Sequence, residues 1–169
     1  MSKLEVLPQK LRDEFTELAT HYPLKSSALI PALHRCQEEL GGWLTPDILE
    51  GVAEFFGLEP VEVFGVASFY PMFKLRPVGK HLVSVCHNIS CELRGAQEII
   101  AKACEVTGAP LDGTSPDGKW TVRHVECQGA CANAPMLEVH GEYHEDLDPA
   151  KVDRVLSTLE RGEPARGAK

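Results

Sequence analysis

Apolar positions in the N-terminal part of the chain recur at helical spacing. In "QKLRDEFTELATHY" Leu11, Phe15, Leu18 and Tyr22 follow one another at steps of four, three and four, which puts them on one helix face, and Pro23 ends the segment. "SSALIPALHRCQEELGG" reads as a second helix with Ser26 or Ser27 as N-cap, Pro31 near its start and Gly41-Gly42 as its stop. "TPDILEGVAEFFGL" places Thr45 at the N-cap, Pro46 at the first helical position and Asp47 in the first turn, and Gly57 closes it. "EPVEVFGVASFYPMF" repeats the device with Pro60 early and Pro71 at the end. Four short helices in succession predict a helical bundle or arm.

The period then changes. "GKHLVSVC" alternates, with His81, Val83 and Val85 on one face and Leu82 and Ser84 on the other, and predicts a strand ending at Cys86. "CELRGAQEIIAKACEVTG" predicts one helix from Cys91 to Gly108, with Ser90 as N-cap. "DGTSPDG" is a turn cluster, "KWTVRHVEC" a second strand ending at Cys127, and "MLEVHGEYHE" two short strands joined at Gly141. A last helix opens at Asp148-Pro149. The class expected is α/β: an N-terminal helical region over 1–77, a sandwich of thioredoxin-like type over 78–163 and a frayed tail over 164–169. Both cysteine pairs fall just beyond the C-terminal end of a strand, where α/β sheets place their sites.

Composition narrows the classes. The 169 residues are 43% hydrophobic with a formal charge of -8, so the chain is globular and repels nucleic acid and anionic membranes overall. No apolar run is long enough to span a bilayer, and the start lacks the features of a secretory or transit segment. A cytoplasmic bacterial protein fits this composition. Six cysteines in such a compartment are not three structural disulfides. Cys36 and Cys104 stand singly inside helical segments and read as small buried apolar residues.

The other four are grouped as "CHNISC" and "CQGAC". Three chemistries use such a set. Structural zinc takes four cysteines but usually on tighter knuckles. Thiol–disulfide exchange uses two residues between its cysteines and needs no second pair. A 2Fe–2S cluster has two irons that each want two thiolates, which two pairs from two loops satisfy. The loops carry no acid or base that a catalytic mechanism would want, and His87 reads as a surface residue. Gly129 suits a tight loop with amides turned toward sulfur. Arg94, Arg123 and His124 lie near in sequence and read as solvated surface charges.

"IPALHRCQEELGGWLT", "VFGVASFYPMFKLRPVGKHLVSVCHNISCELRGAQEI" and "VECQGACANAPMLEVHGEYHEDLDPAKV" together resemble the thioredoxin-like 2Fe–2S subunit (the 24 kDa, E-type subunit) of the NADH dehydrogenase module of bacterial respiratory complex I. The intervals of four, thirty-five and three residues between successive cysteines carry much of that likeness. The resemblance implies that Cys86, Cys91, Cys127 and Cys131 ligate a 2Fe–2S cluster. It also implies that the chain acts as an electron-transfer subunit of NADH:quinone oxidoreductase. FMN and NADH are then expected only in a partner flavoprotein subunit, with which the cluster exchanges one electron; the chain shows no G-x-G-x-x-G and no Walker motif. The helical N-terminal part would pack on that partner, and the aromatic run Phe69 to Phe73 reads equally as core. No nucleic acid and no membrane insertion are expected, and the chain would be peripheral to the inner membrane within a larger complex. An equivalent diaphorase subunit of an NAD-dependent hydrogenase or formate dehydrogenase is the nearest alternative, and a zinc-stabilised interaction module the alternative of another class. Ala134-Pro135 is a candidate cis bond, because such folds commonly carry one before a central strand. His140-Gly141 departs from the Asn-Asp type of turn frequent in the family, and the chain ends without the longer tail of some relatives.

Overall fold

The computed structural model describes residues 3–162 and divides the chain into two compact units, Met1–Pro77 and Val78–Lys169. The expected tail, 164–169, lies outside the described residues.

The first unit is helical. A 3-10 turn (Lys3–Val6) precedes α1 (Gln9–Thr20), α2 (Leu29–Glu39), α3 (Pro46–Phe56) and α4 (Pro60–Phe69). Their inward faces form one core, in which Phe15, Leu7, Leu11, Leu33, Leu44, Val52 and Val63 are buried almost completely. The local signals for α3 act as read: the Thr45 hydroxyl accepts from the Ile48 amide at 3.1 Å, and Gly57 ends the helix at φ 68°. α4 begins with a reciprocal cap in which Glu59 and Glu62 satisfy each other's backbone amides. Ser26 and Ser27 do not cap α2. They lie in a 3-10 turn, Lys25–Ala28, that runs straight into the helix, so no exposed first turn is left for a hydroxyl to cap. The aromatic run divides: Phe73 is buried, whereas Phe69 is 77% exposed.

The second unit is a mixed sheet with helices. β1 (His81–Cys86), β2 (Gly113–Thr114), β3 (Trp120–Val125), β4 (Leu137–Val139) and β5 (Glu142–His144) lie in the order β2-β3-β1-β4-β5. β1 and β3 are parallel with Cys86 opposite Val125, while β4 runs antiparallel to β1 with Leu137 opposite Val85. Val83, Val85, Val122, Leu137 and Val139 form the core with α6 (Ala96–Thr107) and α7 (Pro149–Glu160). The Asp148 carboxylate caps α7 by accepting from the Lys151 amide at 2.8 Å. The Ala134–Pro135 peptide is cis.

Three further local expectations, all in the second unit, need correction. The helix foreseen from Cys91 to Gly108 is broken into α5 (Ile89–Leu93) and α6, because Gly95 adopts φ 95° and the Arg94 and Gly95 amides close α5 with tight bonds to the Cys91 and Glu92 carbonyls. Asn88, not Ser90, caps α5, its side-chain oxygen accepting from the Ile89 amide. The turn cluster after Pro110 contains the edge strand β2, which the two-residue length hid from any periodicity.

Candidate functional site: four thiols at two strand ends

Because β1 and β3 are parallel neighbours, the loops that leave their C-terminal ends emerge side by side. Cys86 is the last residue of β1, and Cys91 sits on α5. Both are buried, packed with Ala96, Ala134 and Met136. Cys127 follows β3, and Cys131 opens the 3-10 turn Cys131–Asn133; both are exposed. All four cysteines named from the sequence therefore converge on one end of the sheet, two of them inside and two at the surface. Cys36 and Cys104 lie elsewhere, Cys36 in the helical core, where burial pushes its thiol up to about 12.

The two loops are fastened to each other. Cys86 Sγ donates to the Glu126 carbonyl at 3.3 Å, and the Asn88 side-chain amide donates to the Glu126 carboxylate at 3.1 Å. The His87 backbone amide bonds the Val125 carbonyl at 3.1 Å, and its ring meets His124 edge-on with centroids 4.7 Å apart. His87 is thus partly enclosed rather than a free surface residue. On the second loop Cys127 Sγ and Cys131 Sγ are 3.8 Å apart. Two thiolates on one tetrahedral metal, each about 2.3 Å from it, would stand about 3.8 Å from each other. The Gly129 amide donates to Cys127 Sγ at 3.4 Å.

The thiols feel one another. Burial pushes the Cys91 thiol up to about 11, with Cys86 and Cys131 adding to the effect and the Met136 backbone opposing it. The hydrogen bond with Cys127 raises Cys131, and the nearby Ser90 opposes it. A thiolate at Cys91 or at Cys131 is thus disfavoured in the absence of a cation, which a bound metal would reverse. Among the described residues no three His, Cys, Asp or Glu side chains are gathered closely enough to hold a single metal ion. The donors stand as two pairs, which fits a cluster with two metal centres.

Of the basic residues near the loops, Arg94 lies 3.7 Å from Asp146 and His124 3.0 Å from Asp112, both pairs at the surface. Arg123 is different. Its guanidinium is partly buried, donates to Ser84 Oγ at 3.1 Å, and is held below its ordinary range by burial against the opposing pull of Glu138 and Asp112. Asn88 and Glu126, which fasten the two loops together, and Tyr143, whose hydroxyl donates to the Gln128 carbonyl of the second loop, were not visible in the sequence. Their partners are set by strand order, and no spacing announces them.

The sequence matches the profile of the thioredoxin-like [2Fe-2S] ferredoxin family over residues 15–160. It is 37% identical over 153 residues to an E-type NADH-quinone oxidoreductase subunit, the second of that type, of Rhizobium meliloti (strain 1021), spanning 90% of each chain. It is 37% identical over 154 residues to "NADH-quinone oxidoreductase subunit 2" of Thermus thermophilus, spanning 89% of this chain and 84% of that one. An NAD+-reducing [NiFe]-hydrogenase in the air-oxidized state superposes with a TM-score of 0.68 at 22% identity, over 81% of this chain and 23% of the hydrogenase chain; that likeness speaks for the fold alone. The chain belongs to the thioredoxin-like 2Fe–2S ferredoxins.

Proposed function

We propose that this chain is the electron-transfer subunit of an NADH:quinone oxidoreductase, with Cys86, Cys91, Cys127 and Cys131 holding its 2Fe–2S cluster. The observation that carries the ligand set is the convergence of two thiol pairs at the ends of adjacent parallel strands. The bound cluster supplies a one-electron carrier, which a chain of these side chains otherwise lacks. Its own residues do the rest. Ala96, Ala134 and Met136 shield the Cys86–Cys91 side from water, while Cys127 and Cys131 leave the opposite side open at the surface. A carrier with one exposed edge can exchange an electron with a partner without dissolving its scaffold. The Glu126 carboxylate beside the two loops, in a chain of net charge -8, opposes the addition of negative charge and favours a low potential.

The partner in this reading is an FMN- and NADH-binding flavoprotein subunit, and the assembly is peripheral to the inner membrane on its cytoplasmic side. Among the described residues no helix is long and apolar enough to cross a membrane. The relatives named for quinone oxidoreductases favour this parent over a hydrogenase or formate dehydrogenase diaphorase, since they match at 37% over most of their length and the hydrogenase at 22%.

The test is spectroscopy of anaerobically purified protein. Two irons per chain, visible absorption and a rhombic S = 1/2 signal after dithionite are expected, with each Cys→Ser change at 86, 91, 127 or 131 altering or abolishing them. A colourless protein with one zinc per chain, resistant to cluster reconstitution, would overturn the assignment. Co-purification with an FMN-containing NADH dehydrogenase subunit from the source organism tests the partner.

A further inference from the structure

One peptide unit in the second cysteine loop is held from both sides. The carbonyl oxygen of Gln128 accepts a hydrogen bond from Tyr143 Oη at 2.9 Å. The amide of the same peptide, Gly129 N–H, donates to Cys127 Sγ at 3.4 Å. This peptide is trans, so its C=O and N–H point in opposite directions: fixing one fixes the other. Sterics do not fix them. Gly129 sits at φ 83°, a region open to glycine, and a Cβ built there would meet no atom within 4 Å, so no packing against the Gly129 α-carbon holds the peptide's orientation. Tyr143, by contrast, stands on β5, paired with Glu138 of β4, and its backbone is set by the sheet.

We infer that Tyr143 is a positioning residue for the cluster: through the Gln128–Gly129 peptide it aims an N–H at the Cys127 sulfur and so raises the reduction potential. The inference rests on Cys127 being a ligand. An N–H···S bond draws electron density from the thiolate, and it strengthens as the site gains negative charge, so it favours the reduced form. The phenol adds to this by polarising the peptide, because a hydrogen bond at the carbonyl makes the attached N–H a better donor. The full contribution of Tyr143 is of the order of one hydrogen bond.

The experiment compares wild type, Tyr143→Phe and Cys127→Ser, each cluster-loaded, by EPR-monitored redox titration. Phe keeps the ring and removes only the hydroxyl. Only the difference in these hydrogen bonds between the two oxidation states moves the equilibrium, so the reduced-to-oxidised ratio at a given potential is expected to fall by about two- to threefold. At 59 mV per tenfold for one electron, the midpoint falls by about 20–30 mV. Pulsed EPR on protein labelled with 15N-glycine supplies the second readout: the coupling of the reduced cluster to the Gly129 nitrogen is expected in wild type and weakened in Tyr143→Phe. An unchanged midpoint together with an unchanged glycine coupling overturns the inference. If the Phe variant loads less iron, the loaded fraction is judged by the same two readouts. Failure of the ligand assignment shows separately, as a Cys127→Ser protein with the iron content and spectrum of wild type.

Discussion

Ser84 and Arg123 stand directly opposite each other on the parallel strands β1 and β3, and Arg123 Nε donates to the Ser84 hydroxyl at 3.1 Å. Ser84 is fully buried. Glu138 is opposite Ser84 on its other side, in β4, so a charged and polar row crosses the middle of the sheet on the face away from the Val83–Val85 core. This row ties together the strands whose ends carry Cys86 and Cys127.

Ser84→Ala removes the hydroxyl acceptor from a partly buried cation. Hydrogen bonds to charged groups contribute about 1.5–3 kcal/mol. Arg123 keeps its electrostatic interactions with Glu138 and Asp112, so a loss near the lower end, about 1–2 kcal/mol, is expected in guanidinium denaturation of the cluster-loaded protein. An unchanged midpoint would show that water replaces the bond at no cost.

Stability should fall as the solution is acidified below neutrality. His144 is buried, and neither ring nitrogen meets a hydrogen-bond partner among the described residues. Burial lowers its pKa, with Glu142 and Glu138 opposing. Burial also lowers His81, with His140 and Lys80 adding to the effect. A histidine held below its unfolded value, about 6.5, stays neutral in the fold while the unfolded chain takes up the proton. Its stabilising contribution is complete above that value and is lost as pH falls through it toward the folded value. The denaturation midpoint is expected to drop as the pH falls through about 6.5, and His144→Leu to flatten that drop. An equally steep curve in the Leu variant would exclude His144 as a source.

Gly79 and Gly65 should respond oppositely to alanine. A Cβ at Gly79 would lie 2.7 Å from the Trp120 carbonyl carbon and 2.8 Å from the Lys119 backbone, where nothing can yield, and the Gly79 amide already bonds Thr121 Oγ1 at 2.7 Å. Gly79→Ala is expected to cost about 1–3 kcal/mol, with the start of β1 displaced from β3. Gly65 lies inside α4 with open space around its Cβ position. Gly65→Ala is expected to add about 0.5–1 kcal/mol. Thermal denaturation of the two variants side by side checks both signs.

Alkylation should separate the cysteines. In folded protein stripped of its cluster, iodoacetamide at about pH 8 is expected to label the exposed Cys127 and Cys131 and to spare Cys36. Cys36 is wholly buried, and with its thiol pushed up to about 12, only about one molecule in ten thousand is thiolate at that pH. Peptide mass mapping reads the result. Rapid labelling of Cys36 would mean that the helical unit opens on the timescale of the reaction.

How much of this was legible in the sequence depends on the range of the signal. Thr45, Pro46 and Gly57 announced α3 because a cap, a fixed φ and a left-handed stop act within a few residues of themselves. The alternation of His81 to Val85 announced β1, and the intervals among Cys86, Cys91, Cys127 and Cys131 singled out the four thiols that the fold brings to one end of the sheet. Cys36 read correctly as a buried apolar residue because its neighbours carry a helical apolar face.

Tertiary structure decided the rest. Gly95 looked like a tolerated glycine in one helix, but its φ of 95° separates α5, which carries Cys91, from α6, whose Ile99 and Ala103 pack into the β1–β3 core. Arg123 read as a surface charge, and the order β3-β1-β4 partly buried it beside Ser84, with Glu138 on the far side of that serine. Tyr143 carried no signal at all. Its phenol reaches Gln128 because β5 is the outer strand of a hairpin laid beside β1, and a contact between residues fifteen positions apart has no period to read. Local sequence thus determined the elements and singled out the four thiols, while the order and direction of the strands, which cost chain entropy that only the assembled core repays, determined where those thiols meet and what holds their loops in place.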